Sequence, residues 1–590
     1  MPTISIARDT LFTLLGKTFT KEQFEDLCFE FGIELDEETT EAQLSASARN
    51  EATNQSSPDE TVIYRIEVPA NRIDLLCVEG LAKALRTFMY ENEPPASYKP
   101  SSLEPLDIYV KSSTSSIRPY IVGAVLHDFS FTPEVYKSFI DLQDKLHQNY
   151  CRKRKLVAIG THDLDTIEAP FVYSADDTNN ISFAALNSTE EKTASEILDA
   201  FDQPGHYLRP YLSIISDRSR HPVIYDNQSR VLSLPPIING NHSKITLNTR
   251  NILIECTAID RTKAYDVLDT IISMFSSLCK NSCEFRQVKV HYPDGNVDVT
   301  PRMASREMTV NVNDISQMIG VTVGDDEAVS LLRKMMLPAK IIENFKISVA
   351  IPPTRNDILH PCDVVEDAAI AFGFDKIPKK LPEFMTFGDE LPSTETVELL
   401  RSSIAGYGFT EICTFTLLSK FDTADWLDRP DDGVIVANPK GHDFERVRNS
   451  LIPGLLKTAG HNKGIARPLR LFEIGDVVLV DNQDENGSIN EKRLGALYSS
   501  VTAGFEYLHG LVDRFSSWMG IKPEFLKLVE SDIGYLIKGH QAHIVYTGGD
   551  KDVVVGEVGS VAIQVIKNFD VSFPCSVLEI NLSKIMELGL

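Results

Sequence analysis

Ile351–Phe374, IPPTRNDILHPCDVVEDAAIAFGF, concentrates four carboxylates around a helix start, and the rest of the chain can be ordered from it. Pro352 and Pro353 impose an extended entry. Pro361 followed by Asp363 predicts a helix with Asp363 as its N-cap and Glu366 at the third helical position. At about 100° per residue, Val365, Ala368, Ala369 and Phe372 form one apolar face. Asp363, Glu366 and Asp367 gather on the opposite face, with Asp357 in the lead-in. An all-oxygen set of this kind suits a hard cation such as Mg²⁺, which takes one or two direct carboxylates and keeps waters. The same spacing also suits a capping box and an acidic first turn in solvent. Spacing alone leaves both readings open.

Working outward, part of this stretch recurs near the N-terminus. Val68-Pro69-Ala70-Asn71-Arg72-Ile73-Asp74 parallels Ile351-Pro352-Pro353-Thr354-Arg355-Asn356-Asp357 position for position. Upstream, Leu15-Gly16-Lys17-Thr18 parallels Ile319-Gly320-Val321-Thr322. After four extra residues in the second copy, Glu366 matches Glu79, Gly80 stands where Asp367 stands, and nothing matches Asp363. The expectation is two small related α/β modules, at 1–90 and 300–375, with the carboxylate set added to one of them.

The chain has 590 residues and is 43% hydrophobic, ample for several packed cores, roughly four on the usual length prior. It lacks an apolar run of membrane-spanning length and the layout of a signal peptide. Nine scattered cysteines without a CxxC pair read as reduced thiols in a cytoplasmic setting. A formal charge of −26 argues against a protein that coats itself in nucleic acid, so any RNA site must be local or shared. The strongest basic run, Cys151–Lys155 (CRKRK), ends a helical segment, where its cations suit the helix dipole better than an RNA patch.

The polar, acidic stretch from Asp36 to Asp59 reads as a mobile insertion. A linker at 91–105 leads to an α/β region over 106–285. It has strands at YIVGAVL, LVAIGTHDL and NILIECTAI, helices from Pro133 and from Lys263, and a polar loop, Ser233–Thr249, suited to ligand contact. His162 and Asp163 are neighbours in a strand and face opposite ways, so a structural role is expected for them. A second linker, Lys376–Glu395, precedes a last domain over 390–590 containing the strand RLFEIGDVVLV. His540 and His543 read as ordinary histidines.

Taken together, PANRIDLLCVEG, IGTHDLDTI, SLPPIINGNHSKI, PPTRNDILHPCDVVEDAAIAFGF, NPKGHDFERVRNSLIPGLL and RLFEIGDVV resemble the β subunit of phenylalanine–tRNA ligase in its eukaryotic and archaeal cytosolic form. The resemblance implies an α+β multidomain chain: two related modules, an α/β tRNA-editing-type domain, and a C-terminal class II synthetase-like antiparallel-sheet domain without catalysis. It implies a complex of two α and two β chains that uses ATP to attach phenylalanine to its tRNA, with ATP and phenylalanine bound by the α subunit. RLFEIG, Arg470–Gly475, resembles the class II strand, but no Gly-rich, Arg-bearing segment follows to complete an ATP site. The family's RxDxxxxxDxxED pattern assigns Mg²⁺ to Asp357, Asp363, Glu366 and Asp367. The middle domain of the family hydrolyses tyrosine wrongly attached to the phenylalanine tRNA. The need is physical, because an apolar pocket rejects an added hydroxyl only by about 10², short of the roughly 10⁴ required. The resemblance places editing at Asp260 and Thr262, with Asn239 in the preceding loop; Asp260 also suits a helix N-cap. The alternatives are a standalone RNA-binding or scaffold protein, which should carry a stronger basic stripe, and a metal phosphotransferase, which should carry a phosphate-cradling Gly loop.

Overall fold

A computed structural model describes residues 2–41, 43, 61–90, 97–215, 219–381 and 388–589. The chain forms two compact units, Met1–Leu381 and Pro382–Leu590. The first unit opens with β1 (Thr3–Ala7), α1 (Arg8–Leu15), α2 (Lys21–Phe31), β2 (Glu34–Thr40), β3 (Val62–Glu67) and α3 (Val78–Tyr90). Its antiparallel sheet has the order β1–β3–β2. Gly16, at φ +71°, ends α1 in the left-handed conformation that a side chain would strain. The insertion expected from Asp36 does not start there, because β2 runs on to Thr40 paired with β3. Most of its side chains face solvent at a sheet edge, so no apolar alternation marks it as a strand. Within that stretch, residues 42 and 44–59 lie outside the described residues.

The middle of the unit is built on β4 (Leu106–Val110), β5 (Tyr120–Leu126), α4 (Pro133–Gln148), β6 (Val157–Asp163), β7 (Phe171–Asp177), β8 (Arg220–Tyr225), β9 (Val231–Leu234), β10 (Ile238–Asn239), β11 (Ile252–Ala258), α5 (Arg261–Phe275) and β12 (Glu284–His291). These strands form one sheet in the order β10–β9–β8–β7–β4–β12–β5–β11–β6. All seven residues of β11 are buried. Thr132 caps α4 and Asp260 caps α5, each accepting a backbone N–H three residues on.

A third module repeats the first: β13 (Arg306–Asn311), α6 (Val312–Ile319), α7 (Asp325–Lys334), β14 (Ala339–Glu343), β15 (Lys346–Ile351) and α8 (Pro361–Phe372), with sheet order β13–β15–β14. Gly320, at φ +79°, ends α6 as Gly16 ends α1. The two modules pack reciprocally, α8 on α2 and α3 on α7, the contact pattern of a two-fold-related pair. Leu81 and Leu85 of α3, Leu268 and Ile272 of α5, and Val364 and Ala368 of α8 belong to one continuous buried core.

The second unit has α9 (Pro392–Gly406), α10 (Ile452–His461), β16 (Leu469–Val480), β17 (Ser488–Ser499), α11 (Phe505–Trp518), β18 (Leu526–Glu530), β19 (Leu536–Tyr546), β20 (Val553–Val561) and β21 (Cys575–Asn581). The sheet order is β16–β17–β21–β20–β19–β18, antiparallel throughout, with the short strand Thr410–Glu411 parallel at the β16 edge. One core joins α9 and α11 to the sheet and another joins α10 to it, as period-two alternation along the strands allows. Among the described residues no helix is long and apolar enough to cross a membrane.

Candidate functional site

The two copies of the repeated stretch meet in the first unit. Arg72 grips Asp74 in a fork, with Nε and Nη2 at 2.9 and 2.8 Å from the two carboxylate oxygens. Arg355 grips Asp357 in the same way at 2.9 and 2.7 Å. Arg355 Nη1 also reaches Asp367 Oδ2 at 2.6 Å and donates to the Met335 carbonyl at 3.1 Å. Arg355 is 1% exposed. Burial alone would lower its pKa, but Asp367 and Asp357 outweigh burial and raise it. One guanidinium shared by two carboxylates leaves a negative charge in surplus. Burial therefore holds Asp367 above the usual carboxylate range, with Arg355 pulling the other way and Asp357 adding to the rise.

The face expected for Asp367 is corrected by this contact: it turns inward to Arg355 instead of joining a solvated acidic stripe. The cap is corrected as well. His360 is the N-cap of α8, and Asp363 is the third helical residue, its Oδ2 accepting the N–H groups of Leu359 (2.7 Å) and His360 (2.8 Å). Burial would raise Asp363, but these bonds hold it below the usual range. Glu366 is exposed. Asp357, Asp363, Glu366 and Asp367 nevertheless line one small cavity of about 50 Å³, together with Arg72 and Gly32 of the first module. In the first copy Glu79, the counterpart of Glu366, accepts a 2.6 Å hydrogen bond from Ser138 of α4. Gly80, the counterpart of Asp367, has no room for a side chain, since a Cβ would lie 2.0 Å from the Asp74 carbonyl and 2.7 Å from Met274 Sδ. The repeat thus carries the inward carboxylate in only one copy. Among the described residues no three His, Cys, Asp or Glu side chains converge as a ligand group for a metal ion. As a direct four-carboxylate cage the set does not fit, because Arg355 occupies Asp357 and Asp367.

A larger cavity, about 210 Å³, opens in the middle region between α4, the sheet and the 235–245 loop. Its walls mix apolar and polar groups, with Ile140, Ile159, Pro236, Ile237 and Ile245 among the apolar ones. Glu255 of β11 lines it and is 2% exposed. Its Oε1 accepts Ser233 Oγ–H at 3.0 Å, and its Oε2 has no hydrogen-bond partner. His162 Nε2 lies 3.9 Å from Glu255 Oε1 and is likewise unpartnered, while His162 Nδ1 is 2.8 Å from Ser243 Oγ. Asn239, Thr161, Lys244 and Arg154 also line the cavity.

The structure therefore places Asn239 at the cavity and leaves Asp260 and Thr262 away from its lining. Asp260 Oδ1 accepts the Lys263 N–H at 3.1 Å as the cap of α5, and Thr262 sits in the first turn. Sequence reasoning missed Glu255, although a lone acid inside the apolar run NILIECTAI is the signal that could have found it. The alternation argument for His162 and Asp163 was right about opposite faces. It is His162, not Asp163, that enters the polar group beneath the cavity; Asp163 accepts from Thr249 at 2.7 Å.

In the second unit Glu473, Gly495, Glu579, Glu557 and His543 stand opposite one another in a row across five strands. Arg448 holds Glu473 at 2.6 Å, Arg493 holds Glu579 at 2.7 Å, and Arg429 pairs with Glu557. Thr414 also donates to Glu473 at 2.7 Å, and Arg470 lies over the rings of Tyr498 and Tyr507.

Comparison with known proteins matches these regions one by one. Residues 1–91 match the Phe-tRNA synthetase β subunit B1 domain, 130–280 the B3/4 domain, 308–374 the tRNA synthetase B5 domain, and 377–582 the phenylalanyl tRNA synthetase β chain CLM domain. The phenylalanine–tRNA ligase β subunit of Drosophila melanogaster is 45% identical over 98% of this chain and 99% of its own length. The cytoplasmic phenylalanine–tRNA ligase β subunit of Arabidopsis thaliana is 44% identical over 99% and 100%. A crystal structure of an N-terminal fragment of the Pyrococcus horikoshii phenylalanyl-tRNA synthetase β subunit covers 63% of this chain and 99% of the fragment, at a TM-score of 0.56 and 28% identity. An α+β multidomain chain with these domains in this order is a subunit of an aminoacyl-tRNA ligase. The chain belongs to the phenylalanine–tRNA ligase β subunit family, whose members work in a complex with an α subunit.

Proposed function

We propose that this chain assembles in the cytoplasm with α subunits, two of each, that the α subunits bind ATP and phenylalanine, and that the middle region hydrolyses tyrosine wrongly attached to the phenylalanine tRNA. Glu255 carries the hydrolytic reading. A buried carboxylate with an unpartnered oxygen on a cavity of mixed apolar and polar walls rewards a ligand that brings a hydroxyl and is left desolvated by one that does not. The tyrosine phenol donates to Glu255 and the phenylalanine ring cannot. Water adds to the ester carbonyl and the bond to the ribose oxygen breaks, releasing tyrosine and the tRNA hydroxyl. Orientation of water and ester suffices without a nucleophile triad. Asn239 stays with this reading as a polar wall group; Asp260 and Thr262 are read as the start of α5.

The test is Glu255→Ala in the reconstituted complex. Phenylalanine charging should hold and tyrosyl-tRNA should accumulate; equal deacylation by variant and parent sinks the reading. A class II-like last domain without catalysis is supported by its sheet face, where Arg448, Arg493 and Arg429 neutralise the chain's own carboxylates instead of a substrate. The competing reading, a standalone RNA-binding or scaffold protein, is separated by co-purification: a stoichiometric second chain with class II motifs is expected, and a lone active chain excludes it.

The Mg²⁺ assignment is carried by the cavity that Asp357, Asp363, Glu366 and Asp367 share. With Asp357 and Asp367 on Arg355, Asp363 and Glu366 are the pair that would hold the ion, mostly through its waters. There it would neutralise surplus negative charge between the two modules. Equilibrium dialysis of Mg²⁺ against Asp363→Asn and Glu366→Gln tests this; metal content equal to the parent's rejects it.

A further inference from the structure

The turn after α4 is built against the preference of its residues. Arg152, Lys153 and Arg154 follow one another in the left-handed region, at φ +47°, +54° and +64°, and none is glycine. Such a run persists only where its surroundings over-determine it. Arg118, fully buried, donates to the carbonyls of Arg154 (3.3 Å) and Lys155 (3.1 Å). Arg154 in turn donates to the Ile237 carbonyl at 3.0 Å and lines the 210 Å³ cavity. Cations at a helix C-terminus need no such geometry, and glycine would relieve it. The outcome is a fixed turn that presents Arg152, Lys153 and Lys155 to solvent beside the cavity, in a chain of net charge −26.

A stack of rings adjoins this turn. Phe201, His206 and Tyr207 lie in series, with centroids 4.7 and 5.0 Å apart and ring planes 16° and 26° from parallel. The outermost, Tyr207, lines the cavity and is 73% exposed. Arg154 sits over Tyr211, 4.6 Å from its centroid, and so ties the turn to the segment bearing the stack. Fixed cations next to an exposed stacking ring are the two parts of a single-stranded nucleic acid site.

We propose that this rim docks the single-stranded end of a charged RNA, with Tyr207 stacking on the base of the esterified nucleotide and Arg152, Lys153 and Lys155 taking the phosphates before it. The proposal rests on the hydrolytic reading of the cavity and gives that reading its means of presenting the ester. It is tested in the assembled ligase with Tyr207→Ala, Tyr207→Phe and the triple variant R152A/K153A/K155A. Tyrosyl-tRNA is one substrate, and tyrosine ethyl ester, which keeps the ester and phenol but has no nucleotide, is the other. Tyr207→Ala should raise KM for tyrosyl-tRNA deacylation about tenfold, with Tyr207→Phe near the parent. The triple variant should raise KM and flatten its salt dependence. Phenylalanine charging should not move in any variant, and ethyl ester hydrolysis should not move in R152A/K153A/K155A, whose side chains lie outside the cavity lining. Parental KM and salt dependence in Tyr207→Ala and the triple variant overturn the proposal. Protection of the RNA end from a single-strand nuclease, measured on the same complexes, reads docking without hydrolysis. A parent that does not hydrolyse tyrosyl-tRNA refutes the hydrolytic reading, whereas equal end protection in parent and variants refutes the docking site.

Discussion

Gly160 and Glu255 face each other across paired strands, and a Cβ on Gly160 would come within 2.1 Å of Glu255 Oε1 and 3.1 Å of His162 Nε2. The missing side chain is what lets the carboxylate lie against the sheet beneath the cavity. Gly160→Ala should therefore displace Glu255 and reproduce the loss of tyrosyl-tRNA deacylation expected of Glu255→Ala, while phenylalanine charging holds. Deacylation and charging assays on the complex check it; a Gly160→Ala enzyme that deacylates at the parental rate would separate the two residues.

Arg355 holds two buried carboxylates, so its removal should be costly. Arg355→Met leaves Asp357 and Asp367 without their cation and should destabilise the first unit by about 3–5 kcal/mol. Adding Asp367→Asn to it should recover part of the loss, because it removes one of the stranded charges. Denaturant midpoints of the single and double variants measure this, and a single variant as stable as the parent would show that the pair contributes little.

At Gly80 the obstacle is backbone. A methyl there meets the Asp74 carbonyl at 2.0 Å, which cannot swing aside as a side chain could. Gly80→Ala should cost about 2–3 kcal/mol and separate α3 from α5. Thermal unfolding gives the size, and protease sensitivity near residues 73–80 should rise with it.

His147 ties stability to pH. Its Nε2 accepts the Ile159 N–H at 2.9 Å, and burial, followed by the charges of Arg154 and Arg118, pulls its pKa down to about 3. The unfolded chain binds a proton near the ordinary value of 6.5 and the folded one does not. Stability from this residue is thus complete above 6.5 and lost progressively as pH falls toward 3. His147→Gln, which keeps an acceptor but does not titrate, should flatten the fall between pH 6.5 and 5. Denaturant titrations of both proteins across that range check it, and parallel curves would assign the acid sensitivity elsewhere.

The repeat was legible because it rests on short-range chemistry. The Leu15-Gly16 and Ile319-Gly320 pairs mark helix ends, and the Arg-x-Asp spacing of Arg72–Asp74 and Arg355–Asp357 is itself the forked ion pair. Family membership was legible for the same reason, in motifs read in chain order. Two local readings went astray where a longer contact competed. Asp367 has the spacing of a solvated face but lies within reach of Arg355, and Glu34–Thr40 has polar text but gains a partner in β3.

The cavity belongs to the other category. Glu255, Gly160, Ser233 and His162 lie on β11, β6 and β9, and Tyr207 and Arg154 reach the same cavity from separate connections. Apart from Gly160 and His162, two residues apart on one face of β6, no periodicity of 3.6 or two residues links them. The sequence by itself determined the repeated modules and the family, because these depend on neighbours a few residues apart. Only the tertiary structure decided that Asp367 is buried rather than solvated and that Glu255, not Asp260, lines the cavity. Burial and desolvation arise when distant strands pair, and a carboxylate's chemistry is set by what surrounds it after they do.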